Sequence, residues 1–192
     1  MHRSLDPELT VGRLVLVVGP SGAGKDTLIR RAEAELGSEA RYRFPRRYIT
    51  RPAGDPHEDH VALTDEEFRA RERAGEFSLA WRAHGLCYAL PRTVDCLVAD
   101  GRIVVANLSR TVVTTARSRF ARIGVIQVTA SSETLALRLA GRDRESPEDR
   151  ARRLARPAPA LPDGPDIRTL VNDGPLEAAA AAFVGLLRAF AV

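Results

Sequence analysis

Short runs of aliphatic and β-branched residues alternate along the chain with longer stretches in which apolar positions recur every three to four residues. Residues 14–18 read Leu-Val-Leu-Val-Val, apolar on both faces, as a strand covered from both sides in a parallel sheet must be. Runs at 103–106, 124–128 and 168–171 are read as later strands. Between them the helical period predicts helices at 25–36, 93–99, 111–119, 132–140, 147–156 and 175–190. Gly37 marks the stop of the first. Ser146-Pro147-Glu148-Asp149 opens another with a serine cap, a proline at the first helical position and acids in the first turn. Strands alternating with helices predict an α/β fold, a mainly parallel central sheet flanked by helices.

The alternation breaks between about 41 and 91. Thr64-Asp65-Glu66-Glu67 has the form of a capping box, and Gly75 closes the short helix it opens. Strand-like pieces at 61–63, 77–81 and 86–90 surround that helix, the last after a His84-Gly85 turn. A small α+β insert on the parallel core accounts for this pattern. Four prolines make 157–166 a connecting loop. With no repeat period, the expected organisation is one domain over 1–192, its core at 12–40 and 92–192 and its insert at about 41–91.

Composition narrows the setting. The 192 residues are 44% hydrophobic and 28% charged, the balance of a soluble globular domain. Of the 29 basic residues only Lys25 is a lysine, and the formal net charge is +4. Abundant arginine and alanine with a single lysine is most simply a coding bias. So small a basic excess, with 5% aromatic residues, argues against nucleic acid as a partner. Cys87 and Cys96 are too few for a disulfide framework or a zinc site and are expected to pack in the core. The first seven residues lack the apolar centre of a targeting segment, and the alanine-rich run at 178–187 is too short to span a bilayer. A cytoplasmic protein with no membrane partner is expected. The oligomeric state is left open, a homodimer included.

The strongest chemical signal is Gly19-Pro20-Ser21-Gly22-Ala23-Gly24-Lys25, set between a predicted strand and a predicted helix. Glycines permit the backbone to curl so that successive N–H groups surround a phosphate, and the helix N-terminus and the lysine add positive charge. A chance glycine-rich turn would not need both flanking elements. Asp26 stands where such loops close with a hydroxyl that binds Mg²⁺. Two readings stay open for it: a carboxylate ligand for the metal, or an acid serving only the helix N-terminus. Thr27 points about 100° further around the helix and is no simple replacement.

Residues 41–51 hold five arginines and no acid, with Arg46-Arg47-Tyr48-Ile49-Thr50-Arg51-Pro52 at the end. Such a run is either a solvated basic face or, where phosphoryl groups are transferred, the grip on an acceptor's phosphate. Arg138, Arg142 and Arg144, followed by Arg150 and Arg153, are suited to neutralise charge on a transferring group. They are equally placed to pair on the surface with Asp143, Glu145 and Asp149. His57-Glu58-Asp59-His60 lacks a third distant metal ligand and is better read as a polar loop touching substrate. Trp81, His84 and Tyr88 either line an acceptor pocket or belong to the core.

With these landmarks the chain from Leu14 to about Phe190 resembles the guanylate kinase-like branch of the P-loop kinases. The resemblance rests on the loop at Gly19 to Lys25, on Tyr48-Ile49-Thr50-Arg51-Pro52, on the helix from Leu135 toward Arg142, and on Val171-Asn172-Asp173. Guanylate kinases carry a glutamate just after the strand matching 77–80 and an aspartate ending the strand matching 103–106. Here those places read Leu79-Ala80-Trp81 and Asn107-Leu108-Ser109-Arg110. Without its carboxylate a guanine pocket would leave N–H donors unpaired, which specificity does not tolerate. The same departures resemble a sister family, the ribose 1,5-bisphosphate phosphokinases. They are carried by Gly19 to Asp26, Arg47 to Pro52, Glu58-Asp59-His60, Trp81 to Leu86 and Asn107 to Arg110.

That resemblance implies ATP-dependent phosphorylation of ribose 1,5-bisphosphate to 5-phosphoribosyl 1-diphosphate, with ATP as donor and Mg²⁺ at Asp26. It implies catalytic roles for Lys25, Asp26 and Arg142, and nucleotide contacts from Gly19 to Asp26, Thr27, Arg138 and Asn172. Acceptor contacts fall to Arg47, Thr50, Arg51, Asp59, His60, His84, Tyr88, Asn107, Ser109, Arg110, Arg144 and Arg153. The insert becomes the acceptor-binding part, and about 141–147 an arginine-rich lid. Two rivals remain: a nucleoside monophosphate kinase with an unusual base pocket, and a non-catalytic phosphate-binding module, which would have no need of the complete loop with Lys25.

Overall fold

In chain order the first elements are β1 (Arg13–Val18), α1 (Lys25–Leu36) and β2 (Tyr42–Arg43). The insert follows, with β3 (Arg47–Ile49), β4 (His60–Ala62), α2 (Asp65–Arg73), β5 (Phe77–Ala83) and β6 (Leu86–Pro91). The chain then returns through α3 (Thr93–Ala99), β7 (Ile103–Asn107), a 3-10 turn (Arg110–Val112), α4 (Val113–Arg119) and β8 (Ile123–Thr129). It ends with α5 (Ser132–Ala140), β9 (Ile167–Val171) and α6 (Leu176–Ala189). This computed structural model describes residues 12–52, 59–83, 85–140 and 160–191.

Five strands form a parallel sheet in the order β2-β7-β1-β8-β9. β1 lies in the middle because every residue from Leu14 to Val18 is wholly buried. Alternate side chains of a strand point to opposite faces, and β1 divides accordingly. Leu14, Leu16 and Val18 join a cluster with Val94, Val113 and Ala116 of α3 and α4. Val15 and Val17 join Leu28, Ala32 and Leu36 of α1 and Phe183 and Leu187 of α6. Each such aliphatic side chain contributes about 1.5–3 kcal/mol on burial, so two apolar faces hold β1 and leave only its ends open to a site.

The second sheet is mixed, in the order β4-β3-β6-β5, with β3 and β4 parallel and the other pairs antiparallel. Ile49, Leu79, Trp81, Tyr88 and Leu90 belong to the same cluster as Leu14 and Leu16, so this sheet is continuous with the core. α2 begins with the expected capping box. Thr64 donates its N–H to Glu67 Oε2 at 2.7 Å, and the Glu67 N–H donates to Thr64 Oγ1 at 3.2 Å.

The α/β architecture and the main strands agree with expectation, and several details correct it. β2 and β3 carry no alternating signal and exist because neighbouring strands offer them hydrogen bonds. The helix expected at 111–119 divides into the 3-10 turn and α4. Cys96 is exposed rather than in the core, while Cys87 is half-buried and packs against the Leu63–Phe68–Ala89 cluster. Trp81 and Tyr88 pair across β5 and β6 with stacked rings 5.5 Å apart and are only 8% and 7% exposed, the core alternative rather than an open pocket wall. The helix expected at 147–156 and the 141–147 segment lie outside the described residues. Among the described residues no helix is long and apolar enough to cross a membrane.

Candidate active site

The carboxyl end of β1 runs directly into the glycine loop. Gly19, with φ +151, passes so close to β8 that a Cβ there would run into the Val128 carbonyl. Gly24, with φ +88, turns the chain into α1 beneath the Asn172 side chain, where a Cβ would lie 2.6 Å from Asn172 Nδ2. No side chain caps α1, so its first-turn N–H groups are left for a ligand. They border a hollow of about 80 Å³ lined by Ser21, Gly22, Gly24, Lys25, Asp26 and Thr27. Arg30, one turn beyond Asp26, lines it too. The motif does not extend to Arg30; only the four-residue helical spacing from Asp26 could have pointed to it.

Lys25 folds its ammonium back over the loop, donating from Nζ to the carbonyls of Gly19 at 3.0 Å and Pro20 at 2.9 Å. A compact, flexible cation is therefore stored at the rim of the phosphate hollow, a task the planar fork of arginine would not serve. Asn172 is buried and donates from Nδ2 to the Ala23 carbonyl at 2.8 Å, bracing the loop from the end of β9. Among the described residues its Oδ1 and Arg138 Nη1, both buried, have no hydrogen-bond partner. Asp173, next in the chain, accepts the Ser131 N–H at 2.8 Å. That bond, with further help from Thr134, holds its carboxyl below the usual aspartate range.

Asp26 is engaged from the neighbouring strand. Asn107, at the end of β7 and paired in register with Val17, donates from Nδ2 to Asp26 Oδ1 at 2.7 Å. The carboxylate therefore has a partner besides the helix end. Oδ1 is oriented by a neutral amide while Oδ2 keeps its full acceptor capacity, a donor set suited to Mg²⁺. Asn107 also accepts through its main-chain oxygen from Arg47 Nη1 at 2.8 Å. The Arg47 guanidinium lies 5.8 Å from the centre of the Tyr88 ring. β3 thus delivers an arginine to the strand end that faces the phosphate loop.

The remaining acceptor candidates knit the second sheet together. Thr50 extends the β3–β6 ladder twice, its N–H donating to the Cys87 carbonyl at 3.0 Å and its Oγ1 accepting the Cys87 N–H at 2.9 Å. His60 is buried with Nε2 3.4 Å from the Arg51 carbonyl. Arg46 donates to the His60 carbonyl at 2.9 Å and pairs with exposed Asp59 at 2.7 Å. Ser109 accepts the Thr111 N–H and so starts the 3-10 turn. Arg110 has a buried Nε with no hydrogen-bond partner among the described residues, and burial lowers the pKa of its guanidinium. Arg142, Arg144, Arg153, His84 and His57-Glu58 lie outside the described residues. Among the described residues no cluster of His, Cys, Asp and Glu suits a multi-ligand metal site. A larger, open cavity of about 500 Å³ lies at the other end of the sheet, between Arg13, Arg122 and the Arg117–Asp166 pair. Volume is therefore not what marks the reactive end.

No family model matches the chain. Among curated proteins it is 49% identical over 178 residues to the ribose 1,5-bisphosphate phosphokinase PhnN of Methylobacterium radiotolerans, covering 93% of this chain and 98% of that one. It is also 49% identical over 177 residues to the bifunctional ribose 1,5-bisphosphokinase-thymidine phosphorylase of Cupriavidus pinatubonensis. That match covers 92% of this chain but spans only 29% of the bifunctional protein. Among solved structures, guanylate kinase from Anaplasma phagocytophilum superposes with a TM-score of 0.66 at 19% identity, over 93% of this chain and 86% of that one. The structural likeness shows a shared fold, that of the P-loop kinases.

Proposed function

The chain belongs to the ribose 1,5-bisphosphate phosphokinase family, and from that premise we propose that it transfers the γ-phosphoryl group of ATP to the 1-phosphate of ribose 1,5-bisphosphate, in the cytoplasm. The observation that carries this reading is the Arg47–Asn107–Asp26 arrangement. It sets the arginine of the acceptor motif on the same strand end as the phosphate loop.

The roles follow from charge and position. Backbone N–H groups of the loop and α1 hold the donor phosphates, and the Lys25 ammonium swings from the Gly19 and Pro20 carbonyls onto the β- and γ-phosphates. Asn172 and Arg138 hold the nucleotide side. Asp26 would hold Mg²⁺, which when bound draws charge from the phosphate oxygens. Arg47 and Arg51 hold acceptor phosphate, and residues 41–91 serve as the acceptor-binding part. An acceptor phosphate oxygen bonds to the γ-phosphorus, the bond from that phosphorus to the β–γ bridging oxygen breaks, and its electrons leave with ADP. The second pKa of a phosphate monoester is about 6, so the attacking oxygen is already anionic near neutrality and needs no general base.

An ADP-release assay over phosphorylated sugars and nucleoside monophosphates tests the assignment. Ribose 1,5-bisphosphate is expected to exceed GMP in kcat/KM by about a hundredfold or more, because a base pocket lacking its carboxylate cannot satisfy guanine's donors. A nucleotide as best acceptor would replace this reading with a nucleoside monophosphate kinase.

A further inference from the structure

Asn107 is bonded to both halves of the site at once. Its side chain donates to Asp26 on the donor side, and its main-chain oxygen accepts from Arg47 on the acceptor side. It is also locked to the strand that feeds the phosphate loop. Asn107 pairs in register with Val17, and the next N–H, of Leu108, donates to the Val17 carbonyl at 3.0 Å. Asp26 and Arg47 are 21 residues apart in the chain, and this one residue joins them.

We propose that Asn107 is a positioning residue that couples the two subsites, so that filling one tightens the other. This rests on the proposed function above. The chemistry of the amide is what the place requires. A neutral donor orients the Asp26 carboxylate without neutralising it, whereas arginine or lysine there would compete with a cation for it, and aspartate would repel it. A donor nucleotide with its cation draws on Asp26, and an acceptor phosphate draws on Arg47. Either ligand orders the same strand end, so the second to arrive finds that ordering already complete and binds more tightly. Linkage makes the effect reciprocal. Asn107 thereby favours the ternary complex over a nucleotide-only complex, in which water is the competing acceptor.

The test is calorimetry with two probes, the magnesium complex of a non-hydrolysable ATP analogue and ribose 1,5-bisphosphate, each titrated alone and with the other saturating. In the unaltered protein each is expected to tighten the other about five- to tenfold, within the ordinary range of coupling between sites. In Asn107→Ala and in the near-isosteric Asn107→Asp that factor is expected to fall to about one. A merely structural role would weaken both ligands and leave the factor unchanged. Mutual independence of the probes in the unaltered protein, or coupling that survives in both variants, overturns the bridge and leaves the proposed function standing. Failure of the unaltered protein to bind ribose 1,5-bisphosphate, with or without nucleotide, overturns the proposed function and the bridge with it. If neither variant folds, a double-mutant cycle of Asp26→Asn and Arg47→Lys on kcat/KM decides, because strictly additive effects mean that nothing joins them.

Discussion

The phosphate loop and the second sheet arrive at the same strand end by different routes. Much of what shapes the loop is close in sequence: Lys25 donates to carbonyls five and six residues back, and Gly24 opens the helix that follows, while Asn172, Asn107 and Val128 meet it from other strands or strand ends. The proposed acceptor side is assembled from remote partners, Thr50 with Cys87 across 37 residues and Arg47 with Asn107 across 60. A phosphate cradle depends on local backbone geometry and can be held in one short motif. A grip on the acceptor depends on which strands are brought together. It can therefore be retuned by changing which strands meet, and Asn107, bonded to Asp26 and to Arg47, is where the two sides join.

The largest effect that would break this contrast is expected at Lys25. Lys25→Ala should remove at least about 3 kcal/mol of transition-state stabilisation, a loss of more than a hundredfold in kcat. Its bonds are to loop carbonyls rather than to the core, so the melting temperature should stay close to that of the unaltered protein. Single-turnover kinetics beside a thermal melt check both halves. A folded Lys25→Ala variant with near-normal turnover would end the idea that a local motif carries the donor chemistry.

Next in size is the junction between the regions. With Asp26 in its proposed role at Mg²⁺, Asp26→Asn would exchange a charged ligand for a neutral one and is expected to lower kcat/KM by about ten- to a hundredfold, raising the magnesium needed for half-maximal rate. Asp26→Ser alone should not restore the rate. Combined with Asn107→Asp, which returns a carboxylate to the strand end, it should recover more than the single changes predict, because groups sharing one ion couple. A magnesium titration of the unaltered protein, the three single variants and the double variant is the measurement, and an unchanged magnesium curve in Asp26→Asn would reduce Asp26 to a helix-end acid.

The same contrast explains what could be read from the chain. The loop, α1 and the capping box at Thr64 are local patterns, and each sits where the residues predict. β2 and β3 have two and three residues and no period of their own, so only the strands beside them could announce them. The motif 47–52 was visible as residue types. That Thr50 is occupied with Cys87, and that Tyr88 is core beneath an arginine, depends on antiparallel register. Asn107 stood out as a departure from a kinase pattern, but its bond to Asp26 required the sheet order that places β7 beside β1.

A smaller pair of changes sharpens the comparison. Asn172→Ala removes the brace on Ala23, and Thr50→Val strips the Cys87 N–H of its side-chain acceptor. Each lost hydrogen bond is expected to cost about 1–2 kcal/mol of stability. The kinetic signatures should separate. Asn172→Ala should raise KM for ATP while the acceptor KM holds, and Thr50→Val should do the reverse. Paired KM measurements at saturating co-substrate decide whether the two regions are independent in this respect.

The smallest effect concerns two carboxylates held low by hydrogen bonds, one in each region. Asp173 is lowered chiefly by the Ser131 N–H beside the nucleotide side, and Glu67 chiefly by the Thr64 N–H at the start of α2. A carboxyl with a depressed folded pKa adds stability that is fully present above its unfolded value, and loses it as pH falls through the folded value. The loss therefore begins as the pH drops past the ordinary values of aspartate and glutamate carboxyls and finishes below them. Both groups are solvent-exposed and screened, so each contribution is small. In melts from about pH 6 down to pH 2, Asp173→Asn and Glu67→Gln should each flatten the acid limb slightly. They part company in activity. Asp173 fixes Ser131 ahead of α5, the helix that carries Arg138, so Asp173→Asn should raise KM for ATP about two- to threefold, the scale of one weakened exposed contact. Glu67 stands in the first turn of α2, in the second region, and Glu67→Gln should leave both KM values in place. Equal kinetic effects from the two would mean that the helix caps act through global stability alone, and that the donor side is less local than its motif.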